Sequence, residues 1–114
     1  MRDNIRNYYN RALASNDYNV GKGWNLLVGK LCKDIIALDD SVRVLQVKQK
    51  FGSLRFYYRA GKKSECRAEI TNLVCLAEIT SNETCEECGS CDDVSKDTGL
   101  YVQSLCKKCR KRLL

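Results

Sequence analysis

The side chains able to do chemistry in this sequence are cysteines. There are eight of them and no histidine, so thiols are the obvious metal ligands and no imidazole is available as a general base. Two close pairs stand near the C-terminal end, Cys85-Glu86-Glu87-Cys88 and Cys106-Lys107-Lys108-Cys109, with 17 residues between them. That is the C-x2-C-x15–20-C-x2-C spacing of a zinc site. A two-residue gap lets one tight turn present two thiolates to an ion while backbone N–H groups point at the sulfurs. Gly89, directly after Cys88, supplies the permissive backbone such a turn needs. Four thiolates complete a tetrahedron with no open position. The expectation is one structural Zn2+ held by Cys85, Cys88, Cys106 and Cys109.

Other readings of the cysteines are weaker. An even count invites a disulfide framework. Against it stand a core-sized apolar inventory, close Cys-x-x-Cys pairs, and first residues without the apolar stretch of a signal peptide. These lead to the expectation of a soluble protein kept in a reducing compartment. The compact iron–sulfur run is absent, and no βαβ pattern surrounds either pair to suggest a thioredoxin-like site. Cys91 lies three residues after Cys88 and competes for a place in the shell. It is left out because Asp92, not glycine, follows it and because its distance to Cys106 is shorter than usual. As a spare thiol it is either a packing residue or a redox-sensitive one. Cys32, beside an apolar helical face, reads as a buried thiol. Cys66 and Cys75 read as packing residues.

Nothing else resembles catalytic machinery. There is no Walker loop, no nucleophile elbow and no third ligand for an open zinc site. The chain is expected not to be an enzyme, and no catalytic residue is assigned.

The elements that must position these residues follow from periodicity. Ile5, Tyr8, Tyr9, Ala12 and Leu13 predict a helix over 3–15, with Asp3 as N-cap. Gly21 and Gly23 interrupt it. Trp24, Leu27, Val28, Leu31, Ile35 and Ile36 predict a second helix over 24–38, closed by Asp39-Asp40. Residues 42–60 switch to strand formers. Gly52-Ser53 predicts a two-residue type II′ hairpin turn, pairing Phe51 with Leu54, Gln49 with Phe56 and Val47 with Tyr58 on a core-facing side. The other face then pairs Lys50 with Arg55, Lys48 with Tyr57 and Gln46 with Arg59. Ile70, Leu73, Val74 and Ala77 predict a third helix over 64–80, capped by Ser64. Beyond Asn82, Val94 and Leu100-Tyr101-Val102 form the hairpin of a zinc ribbon, turning at Asp97-Thr98-Gly99. The expected fold is α+β: helices plus a β-hairpin over residues 1–82, followed by a small four-cysteine zinc ribbon with a basic tail over 83–114. Few large apolar residues lie in the second unit, so metal must supply its folding energy, roughly 10–16 kcal/mol in zinc-finger peptides. No apolar run reaches the ~18 residues a membrane crossing needs.

Charge is uneven. Residues 1–63 hold 13 Lys/Arg against 5 Asp/Glu, and 64–106 hold 2 against 9. Two basic features could meet a partner: the outward hairpin face, Lys48, Lys50, Arg55, Tyr57 and Arg59, and the tail, Lys107, Lys108, Arg110, Lys111 and Arg112. Facing like charges destabilise a hairpin unless an anion bridges them. Phosphate of DNA or RNA is one such anion, with Tyr57 available for stacking. An internal carboxylate, or simple solvation, is the plainer alternative.

Gly23-Trp24 with Leu27 and Leu31, the stretch Gln46-Val47-Lys48-Gln49-Lys50-Phe51-Gly52-Ser53-Leu54-Arg55-Phe56-Tyr57-Tyr58, then Thr84-Cys85-Glu86-Glu87-Cys88-Gly89 and Leu105-Cys106-Lys107-Lys108-Cys109 resemble a group of small proteins of tailed bacteriophages and prophages. The likeness spans roughly residues 20–110. Ser53 stands where a second glycine is expected, Cys91 is an addition, and an aromatic shortly before Leu105 is missing. The resemblance implies a phage accessory protein in the cytoplasm of an infected host bacterium, binding and modulating a bacterial host protein such as a defence system. The alternative is a nucleic-acid-binding module using the two basic features.

Overall fold

The computed structural model describes residues 18–98 and 102–112. The helix expected over 3–15, with its Asp3 cap, lies outside the described residues. The chain enters through a two-residue strand β1 (Tyr18–Asn19), a 3-10 turn (Lys22–Trp24) and helix α1 (Asn25–Leu38). A hairpin of β2 (Arg43–Lys50) and β3 (Ser53–Arg59) follows, then a second 3-10 turn (Ser64–Cys66) and α2 (Arg67–Ser81). The C-terminal unit holds β4 (Ser95–Thr98), β5 (Val102–Leu105) and a short α3 (Lys107–Arg112). This is the small α+β fold expected. Among the described residues no helix is long and apolar enough to cross a membrane.

Apolar residues at three- and four-residue steps turn one stripe inward along the 3-10 turn and α1: Trp24, then Val28, Leu31 and Ile35, are all buried. They meet Val42, Val44 and Val47 of β2, Leu54 and Phe56 of β3, and Ile70, Val74 and Ala77 of α2. Each large side chain so buried contributes about 1.5–3 kcal/mol. Cys32 joins this core fully buried, as expected. Cys66 is half-buried, its thiol on the Leu38 carbonyl at 3.6 Å. Cys75 corrects the expectation: one residue past the inward-facing Val74, it is exposed. Ser64 is not the cap expected: it lies in the 3-10 turn, and α2 starts at Arg67 with Cys66 at its N-cap.

Helix α1 ends where Asp39 turns extended (φ −155°), its N–H still bonded to the Ile35 carbonyl at 2.8 Å. The Asp39 carboxylate then accepts hydrogen bonds from the Ser41 N–H and hydroxyl and from the Lys63 N–H. This ties the end of α1 to the segment entering α2.

The three-stranded sheet has the order β1-β2-β3, with β1 parallel to β2 and the hairpin antiparallel. The turn is displaced by one residue from its expected place. Lys50 pairs with Ser53, so Phe51 (φ 55°) and Gly52 (φ 82°) are the two central residues. Two positive φ values make this a type I′ geometry, which matches strand twist as well as type II′ does. The Gln49 side chain accepts the Gly52 N–H at 2.9 Å and holds it. The pairs become Gln49 with Leu54, Val47 with Phe56, Lys48 with Arg55 and Gln46 with Tyr57. The pairing shifts by two residues, one full pleat, so Leu54, Phe56 and Val47 keep their inward face. Phe51 loses its expected place there and is 69% exposed. A bulge at Leu45 then resets the phase, so that Tyr58 faces Val44 and Arg59 faces Arg43.

Strand β3 is a sheet edge, and edges left bare invite pairing with other chains. Here α2 covers it. Ser81 Oγ accepts the Leu54 N–H at 2.9 Å, and a Glu78 carboxylate oxygen accepts the Phe56 N–H at 3.0 Å.

Candidate metal centre

The sulfurs of Cys85, Cys88, Cys106 and Cys109 lie within 4.8 Å of one another. A tetrahedral zinc with Zn–S near 2.3 Å requires sulfurs about 3.8 Å apart. Cys88 and Cys106 stand at 3.7 Å. Cys85, Cys106 and Cys109 are buried, and Cys88 forms the exposed side. Cys91 is exposed and outside the cluster.

Each pair sits on a turn whose backbone serves the sulfurs. In the first knuckle the Gly89 N–H returns to the Cys85 carbonyl at 2.9 Å, and the Cys85 N–H reaches the Ser90 carbonyl at 2.8 Å. Closing it requires Gly89 at φ 84°, the conformation its sequence position suggested. The second pair straddles the start of α3, where the Arg110 N–H bonds the Cys106 carbonyl at 2.9 Å. Burial pushes the Cys85 thiol up, but the N–H groups of Cys106, Cys88 and Glu87 and the Cys109 thiol outweigh it and bring it down to about 7. The Ser90 N–H pulls Cys88 down, while burial and the thiols of Cys106 and Cys85 raise it on balance. Such crowding favours at most part of the negative charge without a cation, and four thiolates need one.

The unit around the site has almost no core of its own. Among the described residues Leu105 is its one fully buried large apolar side chain, packed with the cysteines and a half-buried Val94. Strands β4 and β5 pair Ser95 with Leu105 through Thr98 with Val102, one to three residues beyond the expected strands. Leu100 and Tyr101 lie outside the described residues.

Sequence reasoning missed how this unit is bolted to the rest. The Gly23 N–H bonds the Glu86 carbonyl at 2.7 Å, and the Trp24 indole N–H bonds the Thr84 carbonyl at 2.9 Å. A Cβ on Gly23 would overlap the Cys85 carbonyl oxygen and stand 2.6 Å from both the Glu86 oxygen and the Gly89 nitrogen. Glu86 itself is buried. One of its carboxylate oxygens accepts the Gly21 N–H at 2.9 Å, and the other, with the Gln103 side chain nearby, makes no full hydrogen bond to a described residue. Burial lifts this carboxyl above the ordinary glutamate value despite the Gly21 N–H. On the other side, the hairpin tip is clasped. The Gly52 carbonyl accepts the Lys96 ammonium at 2.9 Å and the Ser104 hydroxyl at 2.7 Å. Burial, then the nearby Arg55, lowers the Lys96 pKa. Gly21 and Gly23 were legible only as a break between helices. The close approach that requires Gly23 comes from residues more than 60 positions away.

The candidate partner residues fall into two groups. Register puts Lys48, Arg55, Tyr57, Lys50 and Arg59 on the outer sheet face. Lys48 opposes Arg55, replacing the expected Lys50–Arg55 pair, and Arg43 opposes Arg59. None of Lys48, Lys50, Arg55 or Arg59 forms an ion pair with a described residue. In the tail, Lys107, Lys108 and Lys111 are exposed, but Arg110 turns inward. Its guanidinium donates to the Asp93 and Leu105 carbonyls and pairs with the Asp93 carboxylate at 3.2 Å. The Arg112 side chain lies outside the described residues. Among the described residues, the four thiols are the one group gathered at metal-ligand distances. Compared with known protein families, curated proteins and solved structures, the chain finds no match.

Proposed function

We propose that this chain is a non-catalytic binding module, stapled by one zinc ion, that engages nucleic acid through the outer face of its sheet. Zinc is the choice for an all-sulfur, tetrahedral, four-cysteine shell, and a closed shell leaves no position for substrate. The observation that carries the binding reading is the cross-strand charge: Lys48 stands directly opposite Arg55, and Arg43 opposite Arg59. Like charges in these positions cost stability, and a polyanion turns that cost into affinity. The four cations Lys48, Lys50, Arg55 and Arg59 would give log K against log salt a slope of about −3 to −4. Filter binding across ionic strength measures it. Lys48→Glu with Arg55→Glu should abolish binding, and absence of binding at low salt would refute the reading.

A second reading has its own observation. Leu76 and Ile79, one turn apart on α2, are 61% and 62% exposed. Exposed apolar neighbours suit a protein partner, in keeping with a phage accessory protein acting on a host protein in the bacterial cytoplasm. Nuclease-treated capture from bacterial lysate tests it. A specific protein lost by Leu76→Asp with Ile79→Asp supports this reading, and recovery of nucleic acid alone rejects it.

A further inference from the structure

The outer sheet face and the hairpin turn carry rings as well as charge. Tyr57 is 43% exposed and Phe51 69% exposed. Each has a lysine beside it: Lys48 Nζ is 5.7 Å from the Tyr57 ring centre, and Lys50 Nζ is 5.9 Å from that of Phe51. Tyr57 stands four residues along β3 from the Ser53 end, about 13 Å at strand rise, and the Phe51 turn begins there. The outer face and the turn at its end thus present two exposed rings, each with a lysine beside it.

Building on the nucleic-acid reading, we infer that the partner is single-stranded, its bases stacking on Tyr57 and Phe51 while Lys48, Lys50 and Arg55 hold the phosphates. Two considerations select a single strand over a duplex. In a duplex the base faces are covered by their neighbours, so two exposed rings would gain nothing from it. A two-stranded ribbon reads duplex DNA by entering the major groove, but this hairpin cannot protrude. Its Gly52 carbonyl is held by Lys96 and Ser104, its β3 edge is covered by Glu78 and Ser81, and β1 lines its other edge. Only a face is on offer, and a flat face with rings suits splayed bases. The lysines do not block the rings. An exposed ammonium over a ring gains about 0.5–1 kcal/mol, a stacked base about 1–3. The base therefore displaces the ammonium, which turns to the adjacent phosphate.

The test is fluorescence anisotropy of the zinc-loaded full chain with labelled oligothymidylate or oligouridylate of about 20 nucleotides, against a duplex of equal length. Phe51→Asn tolerates the positive φ of the turn, and Tyr57→Leu keeps bulk on the strand. Unchanged Trp24 emission confirms that each variant is folded. Single strands should bind at least about tenfold more tightly than duplex. Each variant should weaken the single strand about five- to 150-fold and leave duplex affinity unchanged. Equal or stronger duplex binding overturns the single-strand inference and leaves the basic-face reading standing, as do ring variants without effect where Lys48→Glu weakens binding. No binding to any of the oligonucleotides at low salt overturns both.

Discussion

Replacing Gly23 with alanine should break the joint between the metal knuckle and the main core. The added Cβ meets the Cys85 and Glu86 carbonyl oxygens and the Gly89 nitrogen, all backbone atoms that cannot rotate aside. Reaching ordinary contact near 3.5 Å requires the knuckle to retreat by on the order of 1 Å. The Gly23–Glu86 and Trp24–Thr84 hydrogen bonds, now 2.7 and 2.9 Å, then lengthen beyond bonding range. Each buried polar group so stranded costs about 1–3 kcal/mol, and strain adds about 1–3. Removing glycine from the unfolded chain returns about 0.4–1. With two donors stranded, the net expectation is a loss of about 2–8 kcal/mol, a large part of a typical domain's stability. Trp24 is the single tryptophan, so urea unfolding of zinc-loaded protein can be followed by its fluorescence. Lys22→Ala, at the exposed neighbour, serves as the control and should lie within about 0.5 kcal/mol of wild type. A Gly23→Ala protein within about 1 kcal/mol of wild type, with unchanged Trp24 emission, would refute the coupling.

Other consequences follow from individual contacts. Ser81→Ala leaves the buried Leu54 N–H unpaired and should cost about 1–3 kcal/mol in the same unfolding assay, and a loss below about 0.5 would mean the edge is not held there. Cys32 is fully buried and its thiol is pushed up to about 12 by that burial. Alkylation followed by mass spectrometry should therefore label the exposed Cys75 and Cys91 first, and early labelling of Cys32 would contradict the packing. Asp39 is held below the ordinary carboxylate value, first by the Ser41 hydroxyl and then by the Lys63 N–H. Its contribution is complete above the unfolded value near 3.9 and is lost as pH falls through its lower folded one. Asp39→Asn should flatten the acid limb of stability against pH, and an unaltered limb would argue against the network.

What was legible in the sequence was local chemistry and pleat parity. Four cysteines announce themselves because thiolate pairs at this spacing have one dominant use. Apart from Phe51, the inward face of the hairpin was read correctly although its turn was not, because a displacement of the turn by one residue moves the pairing by two and preserves sides. The turn itself was ambiguous: glycine accepts the positive φ of either central position, and only the Gln49 side chain and the clasp by Lys96 and Ser104 place it second. Cys75 counts as apolar by type, yet it lies one helical step outside the buried stripe. Strand β1, two residues long, is too short to show alternation. The knuckle joint was invisible because neither Gly23 nor Glu86 carries a signal of the other.

Metal content tests the whole account most directly. Inductively coupled plasma mass spectrometry on purified protein should find one zinc per chain, kept by Cys91→Ser and lost by Cys85→Ser. A metal-free folded protein, or a zinc ion that survives Cys85→Ser and leaves with Cys91→Ser, would contradict it.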